Sequence, residues 1–167
     1  MKYAIIAAGE GSRLAAEGVE QPKPLVKIGR ERLIDRLIRV FMANDAEEIV
    51  VICNAVMTEV GLHLVKLQQD GLDGRPVPLR FVVKSTPSSM HSFFEISRML
   101  GDGPFCLTTV DTIFREEEFS RYIADFGAAV ASGEYDGMMG VTDYIDDEKP
   151  LYVDLSLIHI SEPTRPY

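Results

Sequence analysis

Short apolar runs, each closing on a residue suited to a turn or a charge, constrain this chain more than any other feature. Residues 3–8 (YAIIAA) run straight into Gly9, Glu48–Cys53 reads EIVVIC, and residues 105–110 (FCLTTV) end at Asp111. A strand that is apolar at consecutive positions has both faces covered, and such strands belong to parallel sheets flanked by helices. The stretches between the runs carry the other period. Leu33, Ile34, Leu37, Ile38 and Phe41 recur at helical spacing, as do Met57, Val60, Leu64 and Leu67, then Phe93, Ile96 and Leu100, and finally Phe119, Tyr122, Ile123, Phe126 and Val130. Leu79–Val83 supplies another strand after a turn over 70–78 marked by Gly and Pro, and 136–142 is expected to form a last one. Alternating strands and helices predict an α/β fold, a three-layer α/β/α sandwich with a mostly parallel sheet, whose ligands lie beyond the carboxyl ends of the strands.

A length of 167 residues suits one packed core. Lys+Arg 17 against Asp+Glu 26 leaves a net charge of −9, which repels phosphate backbones and anionic lipid, so no nucleic-acid partner and no membrane surface is expected. No apolar stretch approaches the roughly 20 residues needed to cross a bilayer. Cys53 and Cys106 sit inside apolar runs and no basic-then-apolar leader precedes Tyr3, so neither a disulfide framework nor a secretory signal is supported. The cytoplasm is the expected compartment.

The turn after the first strand reads Ala7-Ala8-Gly9-Glu10-Gly11-Ser12-Arg13-Leu14. Glycines placed there let backbone N–H groups approach phosphate oxygens with no Cβ in the way. A Walker loop needs Lys-Ser or Lys-Thr after its last glycine, and Gly11 is followed by Ser12-Arg13. A dinucleotide fingerprint needs Gly or Ala where Leu14 stands. Lys23-Pro24-Leu25 follows Gly9-x-Gly11-x-Arg13 instead, with Gly29 and Leu33-Ile34 beyond it. Pro24 is expected to hold this segment extended and so to fix where Lys23 points. A triphosphate under attack by another phosphate needs fixed cations and amide dipoles to offset the repulsion.

This arrangement resembles the nucleoside-triphosphate transferases that make nucleotide sugars and related activated alcohols, including the relatives that guanylylate the molybdenum cofactor. The resemblance covers residues 1–154 and implies the nucleotide-diphospho-sugar transferase fold. It implies that Ala8, Gly9, Gly11 and Ser12 wrap the triphosphate, that Arg13 holds the outgoing phosphates, and that Lys23 neutralises the phosphate under attack. Asp111 stands at the carboxyl end of a buried strand, where a hard cation would be held, and the helix after it is expected to start near Glu116, too far on for Asp111 to cap it. The resemblance implies that Asp111 coordinates Mg²⁺ bridging nucleotide and nucleophile. The family normally adds a further metal-binding acid from a later strand, which this chain does not show, so weak nucleotide binding and poor turnover are expected of residues 1–154 alone.

The stretch from Lys84 to Ser92 leads into a helix, with Ser89 or Ser92 expected to cap it. In the resembled family this stretch contacts base and ribose, which makes Ser89 a candidate nucleotide contact. Ser88-Ser89-Met90 departs from the family's Gly-Thr-Ala type sequence, so the base stays open. Asn54, just past the second strand, is a candidate polar contact in the same crevice. His91 could reach a ligand from the helix start, whereas His63 is expected on a helix surface. The acceptor site is expected to draw on loops that include 143–152.

The expected partners are an NTP and a phosphorylated small-molecule acceptor such as a sugar 1-phosphate, with release of pyrophosphate. A regulatory domain that senses nucleotide without turnover is the alternative from another class. Asp111-Thr112-Ile113 lacks the second acid of an Asp-x-Asp pair, which disfavours a glycosyltransferase of related fold.

The last residues read differently from the rest. Residues 155–165 (LSLIHISEPTR) resemble, codon for codon, the translation of a transposase-delivered sequencing adapter. On this reading 1–154 is the N-terminal part of an NTP transferase domain, 155–167 is a non-native tail, and an intact gene would continue past Asp154 with another sequence.

Overall fold

The computed structural model describes residues 1–9, 18 and 21–142. Among the described residues its main sheet has four strands, all parallel. Strand β1 (Lys2–Ala7) is central, pairing β4 (Glu48–Cys53) from Lys2↔Glu48 to Ala7↔Cys53 and β6 (Phe105–Thr109) from Lys2↔Phe105 to Ile6↔Thr109. Strand β5 (Leu79–Val83) joins β4 in register Ile49↔Leu79. These are the apolar runs of the sequence; β1 and β4 are continuous because both their faces are buried, whereas β5 and β6, at the edges of the sheet, are only partly buried, with Val83 45% and Leu107 40% exposed, so the strand before Asp111 is not the fully buried one expected. Tyr3, Ile5 and Ala7 face one layer, formed by helix α1 (Leu33–Ala43), helix α2 (Thr58–Asp70) and Phe119. Ala4, Ile6 and Ala8 face the other, where Ile96 and Leu100 of helix α3 (Ser89–Leu100) cover them. Helix α4 (Glu116–Ser132) contributes Phe119 to an aromatic stack, its ring centroid 4.5 Å from Phe114 and 5.6 Å from Phe41, which lies 4.3 Å from Tyr3. Burying each such side chain stabilises the fold by about 1.5–3 kcal/mol.

Local chemistry sets the element ends. Asp35 in the first turn of α1 complements the positive end of the helix dipole. Helix α2 stops at Gly71, whose φ is 76° and whose place no side chain could share, since a Cβ there would lie 2.3 Å from the Arg75 carbonyl oxygen.

A small antiparallel hairpin, β2 (Lys27–Ile28) and β3 (Glu31–Arg32), turns around Gly29. Two expectations need correction. Lys23–Leu25 is a single 3₁₀ turn rather than an extended segment; Pro22, at ψ 134°, takes the extended conformation before it, and Pro24 sits in the first positions that a helical turn tolerates. Residues 136–142 form no strand. Met139 and Val141 there are exposed, so among the described residues the apolar run that suggested a strand is not covered by a sheet face.

Packing divides the chain after Ile123. The first unit holds the sheet and its core. The described part of the second consists of the end of α4, closed by Gly133 N–H donating to the Val130 carbonyl at 3.3 Å, and residues without helix or strand up to Thr142. Among the described residues no helix is long and apolar enough to cross a membrane.

Candidate active site

Strand order locates the crevice before any side chain is considered. From β1 the chain moves outward through β4 to β5, then returns to the other side of β1 as β6. Connections that leave a strand in opposite directions open a gap at its carboxyl end, where open α/β sheets take their ligands. Ala8 and Gly9 lie at that end of β1. Asp111 lies at that end of β6, placed by Val110, whose N–H donates to the Ile6 carbonyl at 3.0 Å and extends the ladder past Thr109. Gly9 is exposed, its φ is not left-handed, and a Cβ on it would meet nothing within 4 Å. Neither backbone conformation nor packing among the described residues demands glycine there.

Lys23 reaches the same gap from the 3₁₀ turn. Pro24 and Leu25 are buried beneath it, and Leu25 N–H donates to the Pro22 carbonyl at 2.8 Å, so the lysine stands on an anchored base. Its Nζ donates to Asp111 Oδ2 at 2.5 Å, joining residues 88 apart in sequence. Burial pushes the Asp111 carboxyl up, but hydrogen bonds from Lys23 and Thr109 outweigh it and hold the group below its ordinary value.

The segment after Asp111 is tied to α1 by two arginines. Arg36 donates to the Phe114 carbonyl at 2.6 Å and lies over the Phe114 ring, 5.1 Å from its centroid. Arg39 is bidentate to both Glu31 and Glu116, with N–O distances from 2.7 to 3.0 Å. Hydrogen bonding from Arg39 lowers the Glu116 carboxyl, as expected for a forked charge-assisted pair. Helix α4 does begin at Glu116, so Asp111 is not its cap.

On the other side of β1, Asn54 is buried, 3% exposed. Its side-chain amide donates to the Ala8 carbonyl at 3.2 Å and accepts from Ser85 Oγ at 2.6 Å and Val56 N–H at 3.1 Å. Ser85 follows β5, whose ladder Lys84 N–H continues by donating to the Cys53 carbonyl at 2.9 Å. Further along, the cap of α3 is Ser88, which accepts from His91 N–H at 3.5 Å, not Ser89 or Ser92 as expected. Ser92 is buried and shares a 2.6 Å hydrogen bond with Thr86 Oγ1. Ser89 stands exposed as the first residue of α3, and His91 is exposed beside Ser88.

Of the residues singled out from sequence, the structure brings together Ala8, Gly9, Lys23, Asn54 and Asp111 at one sheet edge. Gly11, Ser12 and Arg13 lie outside the described residues, as do 143–152 and the tail 155–167. His63 is not a surface residue: its Nε2 donates to Asp35 Oδ1 at 2.5 Å between α2 and α1, with Arg32 at 3.4 Å from the other carboxylate oxygen. Sequence reasoning gave Asp35 and Ser85 no role. A hydroxyl directly after a strand end is a faint local signal for Ser85, whereas Asp35 carries none, its partner being 28 residues away.

A lysine, a carboxylate and an open glycine thus stand at the topological switch point of a parallel α/β sheet, where such folds take their ligands. The chain belongs to the MobA-like NTP transferase domain family, which it matches over residues 3–152. Several solved structures share the fold. UDP-glucose pyrophosphorylase complexed with UDP-glucose superposes with a TM-score of 0.61 at 14% identity, covering 77% of this chain and 53% of that one. A putative glucose-1-phosphate thymidylyltransferase from Bacillus anthracis in complex with a sucrose gives 0.65 at 21%, covering 77% and 50%. HddC from Yersinia pseudotuberculosis complexed with GMP-PN gives 0.59 at 18%, covering 74% and 53%. The chain thus spans about half the length of these structures.

Proposed function

We propose that this chain carries the nucleotide-binding half of an enzyme that transfers a nucleoside monophosphate from an NTP to a sugar 1-phosphate or similar phosphomonoester and releases pyrophosphate. The observation that carries the reading is the meeting of Lys23 and Asp111, at 2.5 Å, in the gap beyond β1 and β6. A lysine alone would be an ordinary surface cation. Beside a strand-end carboxylate and an open glycine, it is part of a site that offers both a positive charge and a cation anchor.

The main chain around Ala8 and Gly9 would receive phosphate oxygens, and Lys23 would face the α-phosphate as the acceptor's phosphate oxygen attacks in line. Arg13, carried over from the resemblance, would hold the departing pyrophosphate. These fixed charges need no rearrangement during the step, which is what makes such stabilisation effective. No group of three or more His, Cys, Asp or Glu among the described residues could hold a metal by itself. Asp111, a carboxylate 44% exposed beyond a strand end, fits a cation of the Mg²⁺ kind, which takes one or two carboxylates and completes its shell with phosphate oxygens and water. Bound there, Mg²⁺ would supply Lewis-acid neutralisation of the phosphates. The cytoplasm, with its nucleotide pool, remains the expected setting.

The test is a pyrophosphate-release assay on the full-length protein with each of the common NTPs, Mg²⁺ and a panel of sugar 1-phosphates. Release that requires both NTP and acceptor supports the reading. Calorimetric binding of NTP with no release for any acceptor would replace it with the regulatory alternative.

A further inference from the structure

Asn54 was a candidate for touching nucleotide, yet its amide is engaged with the fold. Its Nδ2 donates to the Ala8 carbonyl at 3.2 Å, while Oδ1 accepts from Ser85 Oγ at 2.6 Å and from Val56 N–H at 3.1 Å. The last of these is an Asx-type turn, closed by Met57 N–H donating to the Asn54 carbonyl at 3.1 Å, and it leads the chain into α2. One buried side chain thus joins the main chain where β1 gives way to the glycine loop, the start of α2, and the loop after β5. A buried amide needs its partners, and here each partner belongs to a different segment of the crevice wall.

We infer that Asn54 is a positioning residue of the nucleotide site: it holds the Ala8–Gly9 main chain against the loop after β5, acting through the backbone and not by contact with the ligand. This rests on the NTP-binding reading above. Loops that carry binding groups gain precision when a buried polar group outside the ligand's reach fixes them, and the Ala8 carbonyl is the point at which this is done here. Asn54→Asp separates the functions of the amide. It keeps size, the acceptor for Val56 N–H and the acceptor for Ser85, but removes the donor to Ala8 and sets a carboxylate oxygen against a carbonyl oxygen.

The experiment uses the full-length protein, wild type and Asn54→Asp, titrated calorimetrically with ATP, GTP, CTP and UTP in the presence of Mg²⁺, alongside hydrogen exchange read by mass spectrometry. The expected result is a rise of about tenfold in Kd for the NTP that binds best, with exchange in the peptide ending at Gly9 about tenfold faster and exchange in α2 unchanged. A folded Asn54→Asp protein with wild-type Kd, or with exchange accelerated equally through β4 and α2, overturns the inference and leaves Asn54 a structural residue. If Asn54→Asp does not fold, Ser85→Ala decides. It releases the clasp from the other side, and a rise of about threefold in Kd supports the inference, while wild-type affinity overturns it. Failure of the wild type to bind any of the four triphosphates would instead remove the nucleotide reading, and the exchange comparison would still decide whether Asn54 holds the end of β1.

Discussion

Lys23 and Asp111 form an ion pair with side chains 30% and 44% exposed, so solvent screens it and its contribution to stability is small, about 0–1 kcal/mol. Its value lies in where it stands. Lys23→Ala in the full-length protein is expected to lower turnover roughly 10²-fold, the scale of losing one preorganised charge donor, while moving Tm by no more than a few degrees. Parallel pyrophosphate-release and thermal-unfolding measurements check the separation; a turnover loss that merely follows a fall in Tm would contradict it. The Asp111 carboxyl is held below its ordinary value, so the pair's stabilisation is present above the ordinary carboxylate range and is lost as pH falls through the depressed value. The Tm difference between wild type and Asp111→Asn should accordingly shrink on acidification. The cysteines give a second residue-scale prediction. Burial pushes both thiols up to about 11, so neither ionises near neutral pH. Iodoacetamide at neutral pH should label Cys53 and Cys106 only after unfolding. The place of Asp111 just beyond a strand was legible because the apolar run before it is local. The pairings of Asn54 and His63 were not, because hydrogen bonds to Ala8 and Asp35 span 46 and 28 residues, and no periodicity records what a fold brings together over such distances.

Among the secondary-structure elements, β1 and β4 could be read because burial on both faces writes an unbroken apolar run, and the helices because each buries one stripe. Residues 136–142 show the limit of that reading, since an apolar run becomes a strand only when a sheet edge receives it. The hairpin of β2 and β3 has two residues in each strand, shorter than any period can reveal. The contact between α1 and α2 is where a helix-scale prediction belongs. His63 and Asp35 have side chains 15% and 10% exposed, and removing the imidazole leaves a carboxylate in a largely dry place with Arg32 at 3.4 Å as its remaining ion-pair partner. His63→Ala is expected to destabilise the protein by about 2 kcal/mol, seen as a fall in Tm of roughly 4–8 °C, whereas Leu62→Ala on the exposed face of the same helix should change it little.

For the molecule as a whole, alternating runs foretold a parallel sheet and a crevice at its carboxyl edge, but not which strands border it. That follows from the order β5-β4-β1-β6, a property of the assembled sheet. The same order explains why a lysine from an early turn and an aspartate from the fourth strand of the main sheet arrive at one point. Their contact has a further consequence. An anion entering the gap alone must detach the lysine from a carboxylate that already satisfies it, whereas an anion arriving with a divalent cation offers each of them a replacement partner. If the gap takes nucleotide and Mg²⁺ as proposed, uptake of the two would be reciprocal, each favouring the other by the same factor. In calorimetric titrations of the full-length protein, Asp111→Asn should bind metal-free nucleotide more tightly than wild type and lose most of the gain that Mg²⁺ brings. If the substitution weakened both titrations alike, the carboxylate would not be acting as a competitor for the lysine. On the nucleotide-binding reading proposed above, a resting site that neutralises itself in this way would discriminate against bare phosphate compounds and favour those that travel as metal chelates.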